Sequence, residues 1–345
     1  MSRLTGETVL VTGGCGSIGS RLVERLLDHD PAVVRVFDND EEGLFELHER
    51  LEGRAEDLRF LLGDVRDERR LQMAVEDVDV LFHAAALKHV GLNEYNPFEA
   101  IQTNVMGTQN VVRAALEENV DSFVTISTDK ASNPTSVMGA TKLLAERVSV
   151  AANTYAGDRD IQFACVRFGN VAGSSGSVVP VFLRQAEEGG PITVTNPEMT
   201  RFVLPIDEAV DLVFDAHDRM QGGETFVLKM PAFELRDLAE VVRDEFAPRF
   251  GHAPDDVEIR ITGARPGERV HEKLVSKDEL DQTVERDDMY VITPQIEYGY
   301  DDAGYGGRNS LRSEYTSEDA DSISKDDIVD LIEDVSAVET PVPRQ

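Results

Sequence analysis

The sequence predicts an α/β protein with a doubly wound parallel sheet and a smaller second lobe. Through the first half of the chain, short apolar segments alternate with amphipathic ones, the pattern of repeated strand–helix–strand units. A glycine-rich turn follows the first apolar segment, as it does where a parallel strand leads into a helix. From about residue 168 the alternation stops, and loops containing Gly, Ser and Pro predominate. We therefore expect the later part of the chain to form a loop-rich carboxyl-terminal lobe.

The predicted strands are short runs of aliphatic and aromatic residues, which favour extended structure. They cover residues 8–12, 33–37, 58–62, 80–82, 123–126, 161–167 and 225–228. The predicted helices have one apolar face; in the first of them Ile18, Leu22 and Leu26 recur at intervals of four. They cover residues 17–27, 41–51, 97–118, 136–154 and 206–217, and a capping box of Ser324 and Asp327 starts a last short helix.

The chain has 345 residues and a formal net charge of −32, from 66 acidic and 34 basic residues. Only seven of the basic residues are lysines, and there is no tryptophan. So large a charge destabilises the compact state by self-repulsion, which salt screens. We therefore predict a halophilic protein, with an acidic mesophilic protein as the alternative. Nucleic acid is not an expected partner, because binding phosphates requires a clustered basic face.

Cys15 and Cys165 are the only cysteines and lie far apart, which fits a reducing cytoplasm and provides no disulfide framework. No histidine pair has the spacing of a metal site, so no metal is predicted. The first residues lead almost directly into a strand and leave no room for a signal peptide. The longest apolar run, residues 80–87, is too short to span a bilayer. The expectation is a cytoplasmic protein without a membrane span.

The glycine-rich turn after the first strand predicts a dinucleotide site, with a structural tight turn as the alternative. Its glycines allow the backbone to approach a pyrophosphate, whose charge the start of the next helix stabilises. Asp38 ends the second strand, where a carboxylate accepts hydrogen bonds from ribose hydroxyls and repels a 2′-phosphate, so NAD is favoured over NADP. The residues assigned to the turn are Gly13, Gly16, Ser17, Ile18 and Gly19.

Two further segments end predicted strands at the same edge of the sheet. The segment after the third strand suits the adenine pocket, with a helix cap as the alternative role of its aspartate. The segment after the fourth strand has three alanines, whose small side chains leave room for a cofactor; plain close packing is the alternative. The residues are Asp64 and Val65 in the first segment and Ala84, Ala85 and Ala86 in the second.

An acid and a base stand together after the fifth predicted strand, in the segment Thr128-Asp129-Lys130. A second lysine, Lys142, follows in a helix that bears Met138 one turn earlier. Open α/β sheets bind their ligands at the carboxyl ends of the strands, so these groups fall where an active site is expected. A surface salt bridge beyond the strand is the alternative.

These segments resemble the extended short-chain dehydrogenase/reductases, and within them the UDP-N-acetylglucosamine 4,6-dehydratases of polysaccharide biosynthesis. The resemblance rests on the sequences TGGCGSIG, AAALKHV, TNVMGT, STDKA and NPTSVMGATK. It continues through RFGNV, MTRF and RPGE and covers roughly residues 7–290. It implies a Rossmann fold, an NAD cofactor and a UDP-sugar substrate used in glycan biosynthesis. Members often carry a membrane-spanning amino-terminal region, so we expect this chain to be a soluble catalytic unit.

The implied reaction removes water across C5 and C6 of a hexose. Oxidising C4 to a ketone by hydride transfer to NAD makes the C5 proton acidic, and the hydride later returns to C6. By resemblance Lys130 is the base at C5 and Asp129 the acid at C6. Lys130 must then be neutral, which burial and the positive charges of Lys142 and the nicotinamide favour. Asp129 must be protonated, which desolvation favours.

Met138 departs from the wider superfamily, which has a tyrosine four residues before the lysine. A thioether cannot accept a proton, so the acceptor of the C4 hydroxyl proton is left open between Thr128 and a water held by Lys142. Lys142 is also assigned to the cofactor. The dehydratase branch that the chain resembles has Met at this position too, so we interpret the chain as an active enzyme.

An acidic protein must bind an anionic UDP-sugar through local groups, and arginine pairs with phosphate in a bidentate geometry. Arg201 and Arg265 are the candidates, with surface ion pairs as the alternative. The other residues assigned to the substrate are Lys88, Asn170, Ser177 and Glu268.

The chain is expected to divide into three parts. These are an NAD-binding Rossmann domain at 1–167, to which 201–228 return, a substrate-binding lobe at 168–294 and an acidic carboxyl-terminal extension at 295–345. The long helices predicted at 97–118 and 136–154 suit a four-helix contact between subunits, so we expect a homodimer or a higher oligomer.

Three other functions remain open. A UDP-hexose 4-epimerase shares the fold and the C4 oxidation, but such enzymes usually keep the tyrosine and need no acid–base pair after the fifth strand. Met138 and the Asp129–Lys130 pair argue against it. A dehydratase that also inverts C5 is harder to exclude. A non-catalytic dinucleotide-sensing protein would not need Asp129, Lys130 and Lys142 together.

Overall fold

In the computed structural model, strands alternate with helices through the first half of the chain. The structure describes residues 2–174, 176–265, 267–294 and 311–339. Its strands are β1 (Thr8–Thr12), β2 (Val33–Asp38), β3 (Leu58–Leu62), β4 (Val80–His83), β5 (Ser122–Ile126), β6 (Gln162–Arg167), β7 (Asn170–Val171), β8 (Ile192–Val194), β9 (Thr200–Leu204), β10 (Thr225–Leu228), β11 (Ala232–Glu234), β12 (Ile259–Ile261), β13 (Lys273–Val275), β14 (Thr283–Glu285), β15 (Met289–Ile292) and β16 (Tyr315–Thr316).

The α-helices are α1 (Ser17–Leu26), α2 (Glu41–Arg50), α3 (Glu68–Val75), α4 (Val90–Tyr95), α5 (Pro97–Ala100), α6 (Thr108–Glu118), α7 (Val137–Ala152), α8 (Val178–Glu187), α9 (Ile206–Arg219), α10 (Leu235–Val241) and α11 (Lys325–Glu339). A π-helical segment, Ile101–Gly107, joins α5 to α6. Among the described residues, no helix has the length and apolar character needed to cross a membrane.

Nine of the described strands form one sheet in the order β3-β2-β1-β4-β5-β6-β10-β15-β14. The strands from β3 to β10 are parallel, and β15 and β14 add an antiparallel edge. The strand order reverses at β1, which lies between β2 and β4, and such a reversal opens a crevice at the carboxyl ends. Thr12 pairs with both Phe37 and His83, so the segments after β1, β2 and β4 leave the sheet at one edge.

Apolar residues fill the space between this sheet and its helices. Leu10, Leu81, Phe123 and Phe163 are fully buried and belong to a cluster that includes residues of α3 and α6. A parallel sheet is buried on both faces, which explains why its strands read as continuous apolar runs. The core thereby holds the carboxyl ends of the strands in fixed positions.

The described residues divide into two units. The first comprises residues 2–168, 210–229, 275–294 and 311–314, and the remaining described residues form the second. The second unit contains the sheet β7-β9-β11 and the pair β8-β12. Its core is a separate apolar cluster that includes Phe182, Phe233, Leu238 and Ile328.

The predicted α/β fold class is confirmed, but the division of the chain differs from the predicted one. β9 pairs with β7 and β11 in the second unit, so the return to the first unit begins at residue 210 instead of 201. Residues 275–294 join the first unit because β14 and β15 continue its sheet. Residues 315–339 belong to the second unit, where α11 buries Ile328. The rest of the predicted extension, residues 295–310 and 340–345, lies outside the described residues.

Candidate active site

Thr128, Asp129 and Lys130 form a connected group just beyond β5. The buried Asp129 carboxylate accepts hydrogen bonds from Lys130 Nζ, at 2.9 and 3.2 Å, and from the Thr128 hydroxyl at 2.7 Å. The Asp129 N–H donates to the Phe168 carbonyl at 3.0 Å, which ties the group to the end of β6. The Lys130 side chain is 24% exposed. The group thus combines a buried carboxyl with an amine that solvent reaches.

Met138 and Lys142 lie one turn apart on the buried face of α7. The Ser136 hydroxyl caps this helix by accepting a hydrogen bond from the Gly139 N–H at 3.1 Å. Lys142 Nζ donates to the Ile126 carbonyl at 2.6 Å. No carboxylate in the described part of the chain forms an ion pair with Lys142, and burial lowers its pKa to about 8.

The buried His83 is a residue that sequence reasoning did not select. Its Nδ1 lies 2.7 Å from the Thr12 hydroxyl and its Nε2 2.9 Å from the Thr108 hydroxyl. Burial, with a smaller effect from the charge of Lys142, lowers the pKa of His83 to about 3, so the imidazole is neutral. The signal available in the sequence was a polar residue interrupting an apolar strand.

Asn104 is a second residue that sequence reasoning missed, although it stands in the TNVMGT segment. Its side-chain oxygen accepts a hydrogen bond from the Leu87 N–H at 2.7 Å. Its nitrogen donates to the Leu87 carbonyl and to the Thr141 hydroxyl, each at 3.0 Å. Asn104 therefore connects the loop after β4 to α7, and it lies in the π-helical segment, where helical irregularities often mark functional positions.

The turn after β1 leaves no room for a side chain at two of its glycines. Gly13 has a φ of +71°, and a Cβ there would lie 2.5 Å from the Ala85 backbone nitrogen. A Cβ on Gly19 would lie 2.0 Å from the Gly13 carbonyl oxygen. Gly16 stands at the amino-terminal cap of α1 without a side chain to cap it, and Ser17 and Ile18 open the helix. An anion can take the capping role there.

The Asp38 carboxylate is oriented by this turn. Its Oδ2 accepts a hydrogen bond from the Cys15 N–H at 2.9 Å, and its Oδ1 accepts one from the Asp40 N–H at 3.1 Å. A carboxylate offers about four acceptor positions, so Asp38 can accept further donors.

Asp64 does not cap the helix that follows it, because Asp67 does so by accepting a hydrogen bond from the Arg70 N–H at 3.0 Å. Asp64 instead binds the Arg66 guanidinium, with its shortest contact at 2.6 Å, and these bonds lower the pKa of its carboxyl. Val65 is buried in the core cluster of the first unit. The capping alternative for Asp64 is therefore wrong.

The three alanines after β4 are half-buried and run beside the turn after β1. The Ala84 N–H donates to the Thr12 carbonyl at 2.9 Å, and the backbone of Ala85 is what excludes a side chain at Gly13. Ala86 leads into the loop that bears the exposed Lys88. Close packing, the alternative role given to the three alanines, is thus observed at Ala85.

All residues assigned to catalysis and to the cofactor lie in the first unit, as does Lys88, and the other substrate residues lie in the second. Asn170 begins β7 opposite Val203 of β9. Ser177 precedes α8 without capping it, and its hydroxyl oxygen is buried with no hydrogen-bond partner among the described residues. Buried hydroxyls are normally hydrogen-bonded, so Ser177 is available to a ligand at the start of α8.

The Arg201 side chain is buried and engaged within the second unit. Its guanidinium donates to the carbonyls of Thr200 at 2.7 Å and Val270 at 3.1 Å, and lies 3.8 Å from the Glu272 carboxylate. These contacts use several of the donors that a phosphate would need.

Arg265 is exposed and Glu268 is half-buried in the same turn, and Pro266 between them is outside the described residues. The Arg265 N–H donates to the Glu268 carboxylate at 3.0 Å. Of the two arginines assigned to phosphate, Arg265 is the exposed one and Arg201 is buried.

A parallel sheet with a glycine-rich turn after β1, an acid ending β2 and a buried lysine on α7 defines the class of extended short-chain dehydrogenase/reductases. Within that class, the chain belongs to the family described as polysaccharide biosynthesis protein, whose family model matches residues 9–294.

Several proteins are similar to the chain over most of its length. An uncharacterized membrane protein of Methanocaldococcus jannaschii is 50% identical over 330 residues, which is 96% of each chain. A UDP-N-acetylglucosamine 4,6-dehydratase (inverting) of Campylobacter jejuni is 40% identical over 294 residues, 85% of this chain and 84% of that protein. The X-ray structure of Pen from Bacillus thuringiensis matches with a TM-score of 0.90 at 39% identity, covering 97% of this chain and 99% of that one. Other relatives are named UDP-glucose 4-epimerase, so the chain is related to nucleotide-sugar dehydratases and epimerases.

Proposed function

We propose that the protein is an NAD-dependent, redox-neutral 4,6-dehydratase that converts UDP-N-acetylglucosamine to the 4-keto-6-deoxy sugar nucleotide. The observation that carries the proposal is the buried Asp129 carboxylate in contact with Lys130 Nζ at 2.9 Å. An acid and a base at the carboxyl end of a central strand are what elimination across C5 and C6 requires. The 40% identity to the Campylobacter jejuni enzyme supports the choice of substrate.

The residues around the turn after β1 fit NAD. Gly13 and Gly19 keep side chains out of the tightest parts of the turn, and the start of α1 offers N–H groups to a pyrophosphate. Asp38, oriented by the Cys15 N–H, would accept hydrogen bonds from ribose hydroxyls and repel a 2′-phosphate. Asp64, Val65 and the alanines after β4 are assigned to the adenine side, and Lys142 to the nicotinamide ribose. When bound, NAD takes the hydride from C4 and supplies it to C6.

Thr128 is assigned as the acceptor of the C4 hydroxyl proton. Its hydroxyl donates to Asp129 Oδ1 at 2.7 Å, so the Thr128 oxygen can accept the C4 proton while its own proton passes to the carboxylate. Asp129 thereby becomes the protonated acid that C6 requires. Lys142 Nζ is bonded to the Ile126 carbonyl, which makes it a less direct acceptor through water. Met138 contributes packing to this group, because a thioether carries no proton.

Lys130 then acts at C5. Once Asp129 is neutral, the Lys130 ammonium has lost its counter-charge, and its partial exposure allows it to release a proton to solvent. The neutral amine removes the C5 proton, Asp129 protonates the departing C6 hydroxyl, and water leaves. Lys130 then returns its proton to C5, and the neutral amine takes up a proton from solvent, which restores the starting pair of ammonium and carboxylate.

In the second unit, Ser177 and the start of α8 are assigned to the diphosphate, together with Arg265. A helix start with an unused buried hydroxyl is a suitable site for an anion. Arg201 already donates to two carbonyls and to Met199 Sδ, which leaves fewer donors for a phosphate, so its assignment is the weaker of the two arginines. Asn170, Glu268 and Lys88 keep their assignment to the sugar nucleotide.

A UDP-hexose 4-epimerase is the second candidate, because relatives of the chain carry the name UDP-glucose 4-epimerase. Epimerisation at C4 needs no acid at C6, and the buried Asp129 contact therefore favours dehydration. The name of the Campylobacter jejuni relative includes the word inverting, and inversion at C5 during dehydration is a step open to Lys130 here.

Incubation with UDP-N-acetylglucosamine and NAD in molar KCl tests the proposal. Mass spectrometry should find a product that is lighter by one water, and the NMR coupling constants of its ring report the C5 configuration. A product of unchanged mass would make the protein an epimerase, and the absence of any product would remove both functions.

Variants separate the redox step from the elimination. Lys130→Ala should reduce dehydration at least ~10²-fold, the scale of a lost general base, while NADH still forms and C5 exchanges no solvent deuterium. Asp129→Asn and Thr128→Val should block NADH formation as well, because the C4 proton then has no acceptor. The exposed Lys277 provides the matched control, and Lys277→Ala should keep full activity. Normal dehydration by Lys130→Ala would show that the base lies elsewhere.

We assign an apolar surface formed by α4, α5 and α7 to the contact with a second copy of the chain. Tyr95 is 90% exposed and Phe98 80%, and the exposed Leu92 and Leu144 lie on the same group of helices. A contact between copies would bury these side chains. Light scattering in molar KCl should find a dimer or larger oligomer, and Tyr95→Arg with Phe98→Arg should yield monomer; a monomeric wild type would refute this assignment.

The acidic composition and the two free thiols, Cys15 and Cys165, support a reducing cytoplasm rich in salt as the place of action. Fractionation of the source cells with an antibody to the chain would test this assignment.

A further inference from the structure

A network of buried polar residues crosses the first unit from the end of β1 to α7. Its members are Thr12, His83, Thr108, Asn104 and Thr141, which lie on β1, β4, α6, the π-helical segment and α7 in that order. Each of the five is at most 3% exposed. The dehydratase chemistry proposed above uses none of them, although the network passes between the turn after β1 and the helix of Lys142.

The hydrogen bonds of the network determine the tautomer of His83. The Thr108 hydroxyl has a single proton, which it donates to the Asn104 backbone carbonyl at 2.7 Å. The Thr108 oxygen must therefore accept a proton from His83 Nε2, which lies 2.9 Å away. Because burial keeps the ring neutral, Nδ1 carries no proton and accepts one from the Thr12 hydroxyl at 2.7 Å.

The network continues from Asn104 into α7. The Asn104 side-chain nitrogen donates to the Thr141 hydroxyl at 3.0 Å, and the Thr141 hydroxyl donates to the Met138 carbonyl at 2.8 Å. The Asn104 side-chain oxygen accepts the Leu87 N–H, which fixes the orientation of the amide. Thr141 directly precedes Lys142, so the network ends beside the lysine assigned to the cofactor.

The other end of the network holds the turn after β1. Thr12 is the last residue of β1, and it precedes Gly13, the glycine against which the Ala85 backbone packs. His83 is the last residue of β4 and pairs with Thr12 in the sheet. The Phe123 ring packs on the imidazole, with 6.0 Å between the ring centroids. Two hydrogen bonds and this packing together hold the imidazole in one orientation.

We propose that His83 is a positioning residue for the reaction: as a neutral imidazole protonated on Nε2, it couples the turn that binds NAD to the part of α7 that bears Lys142. This role rests on the proposed function. Groups that bind a cofactor productively must be held to within about 0.5 Å, and a fully satisfied buried network provides such rigidity. Breaking the network would release the start of α7 from the turn, so Lys142 would no longer be aligned with the nicotinamide ribose.

NMR of protein labelled with ¹⁵N in its histidines tests the tautomer without substrate or NAD. The chain has seven histidines, and the signals lost in His83→Gln are those of His83. Long-range ¹H–¹⁵N correlations should show a neutral ring that is protonated on Nε2. A ring protonated on Nδ1, or on both nitrogens, would refute the proposal.

Two threonine variants separate positioning from stability. Thr108→Val removes the hydroxyl that joins His83 to Asn104, whereas Thr125→Val removes one that joins β5 to Ser149, two turns after Lys142 on α7. Each variant loses one buried hydroxyl, so both should have a lower Tm. Only Thr108→Val should raise the Kd for NAD, by about 10-fold, which corresponds to one hydrogen bond. Thr108→Ser keeps the hydroxyl and should restore the wild-type Kd.

Calorimetric titration with NAD measures these affinities, so the result does not depend on dehydration. A wild type that binds NAD but forms no dehydrated product would refute the proposed function, and the NAD affinities of the variants would still test the role of His83 in the turn. Equal Kd values for NAD in Thr108→Val and Thr125→Val would refute that role.

Discussion

Two buried cations on neighbouring elements of the first unit have opposite electrostatic surroundings. Arg167, at the end of β6, binds the carboxylates of Glu146 at 2.7 Å and Glu279 at 2.9 Å. Burial alone would lower its pKa, but the charges of both glutamates outweigh burial and raise it. Lys142 on α7 has a carbonyl partner instead of an ion pair, and burial lowers its pKa to about 8.

Glu146 lies one turn after Lys142 on α7, yet its carboxylate binds Arg167. The Arg167 cluster, formed by Arg167, Glu146 and Glu279, thereby joins β6 and α7 to the segment that contains Glu279. The Glu279 carboxylate also accepts a hydrogen bond from the Ser276 hydroxyl at the start of its own helical turn. A guanidinium with two carboxylates has a permanent, satisfied charge and suits a structural role. A buried amine without a carboxylate can change its charge near neutral pH, which suits a site that binds ligands.

Arg167→Met should produce the largest change in stability. It would leave Glu146 and Glu279 buried without a counter-charge, and removing one partner of a buried pair costs about 3–5 kcal/mol. Thermal and denaturant unfolding should detect this loss. The exposed pair of Arg54 and Asp28 is the control, and Arg54→Met should change stability by less than about 1 kcal/mol. Equal losses of stability in the two variants would refute the structural role of the Arg167 cluster.

Lys142→Met should change stability in the opposite direction and with a defined pH dependence. The folded pKa of about 8 lies below the ordinary 10.5, so between these values the unfolded chain binds more protons than the folded one. Stability of the wild type should therefore rise with pH across that window, by up to about 3 kcal/mol. The variant should lack this rise and be the more stable protein at pH 7. A flat wild-type profile between pH 8 and 10.5 would contradict the burial argument.

The same Lys142→Met variant should bind NAD more weakly although it folds at least as well. One charged hydrogen bond is worth about 1.5–3 kcal/mol, so the Kd for NAD should rise roughly 10- to 100-fold. Lys142→Arg should not restore binding, because a guanidinium has a different shape and a permanent charge. Unchanged NAD affinity in Lys142→Met would assign this lysine to structure only.

The dependence of stability on salt should distinguish the contribution of the buried Arg167 cluster from that of the acidic surface. The stability of the wild type should increase from low to molar KCl, because salt screens repulsion among exposed carboxylates. The difference between wild type and Arg167→Met should change by less than about 0.5 kcal/mol over the same range, because a buried pair is screened little. A difference that shrinks with salt would show that solvent reaches the Arg167 cluster.

The parts of the site that sequence reasoning predicted are contiguous in the chain. Asp129 and Lys130 are neighbours, and Lys142 follows them by about three helical turns, so a short segment displays the chemistry. His83 and Asn104 were missed because each is a single polar residue whose partners come from other elements. Asp64 stood at a plausible capping position, but Asp67 caps α3, because a capping side chain bonds the N–H two or three residues later and so must stand directly before the helix.

The sequence by itself determined the alternation of strands and helices, the turn after β1 and the adjacent acid and base, because these depend on local pattern. Only the tertiary structure decided which chain segments share a unit, since β14 and β15 reach the main sheet from residues 283–292. It also decided that Glu146 and Glu279 compensate Arg167, whereas Lys142 has no carboxylate partner in the described chain. Residues so distant in sequence carry no common pattern, because their proximity is created by packing of the sheet.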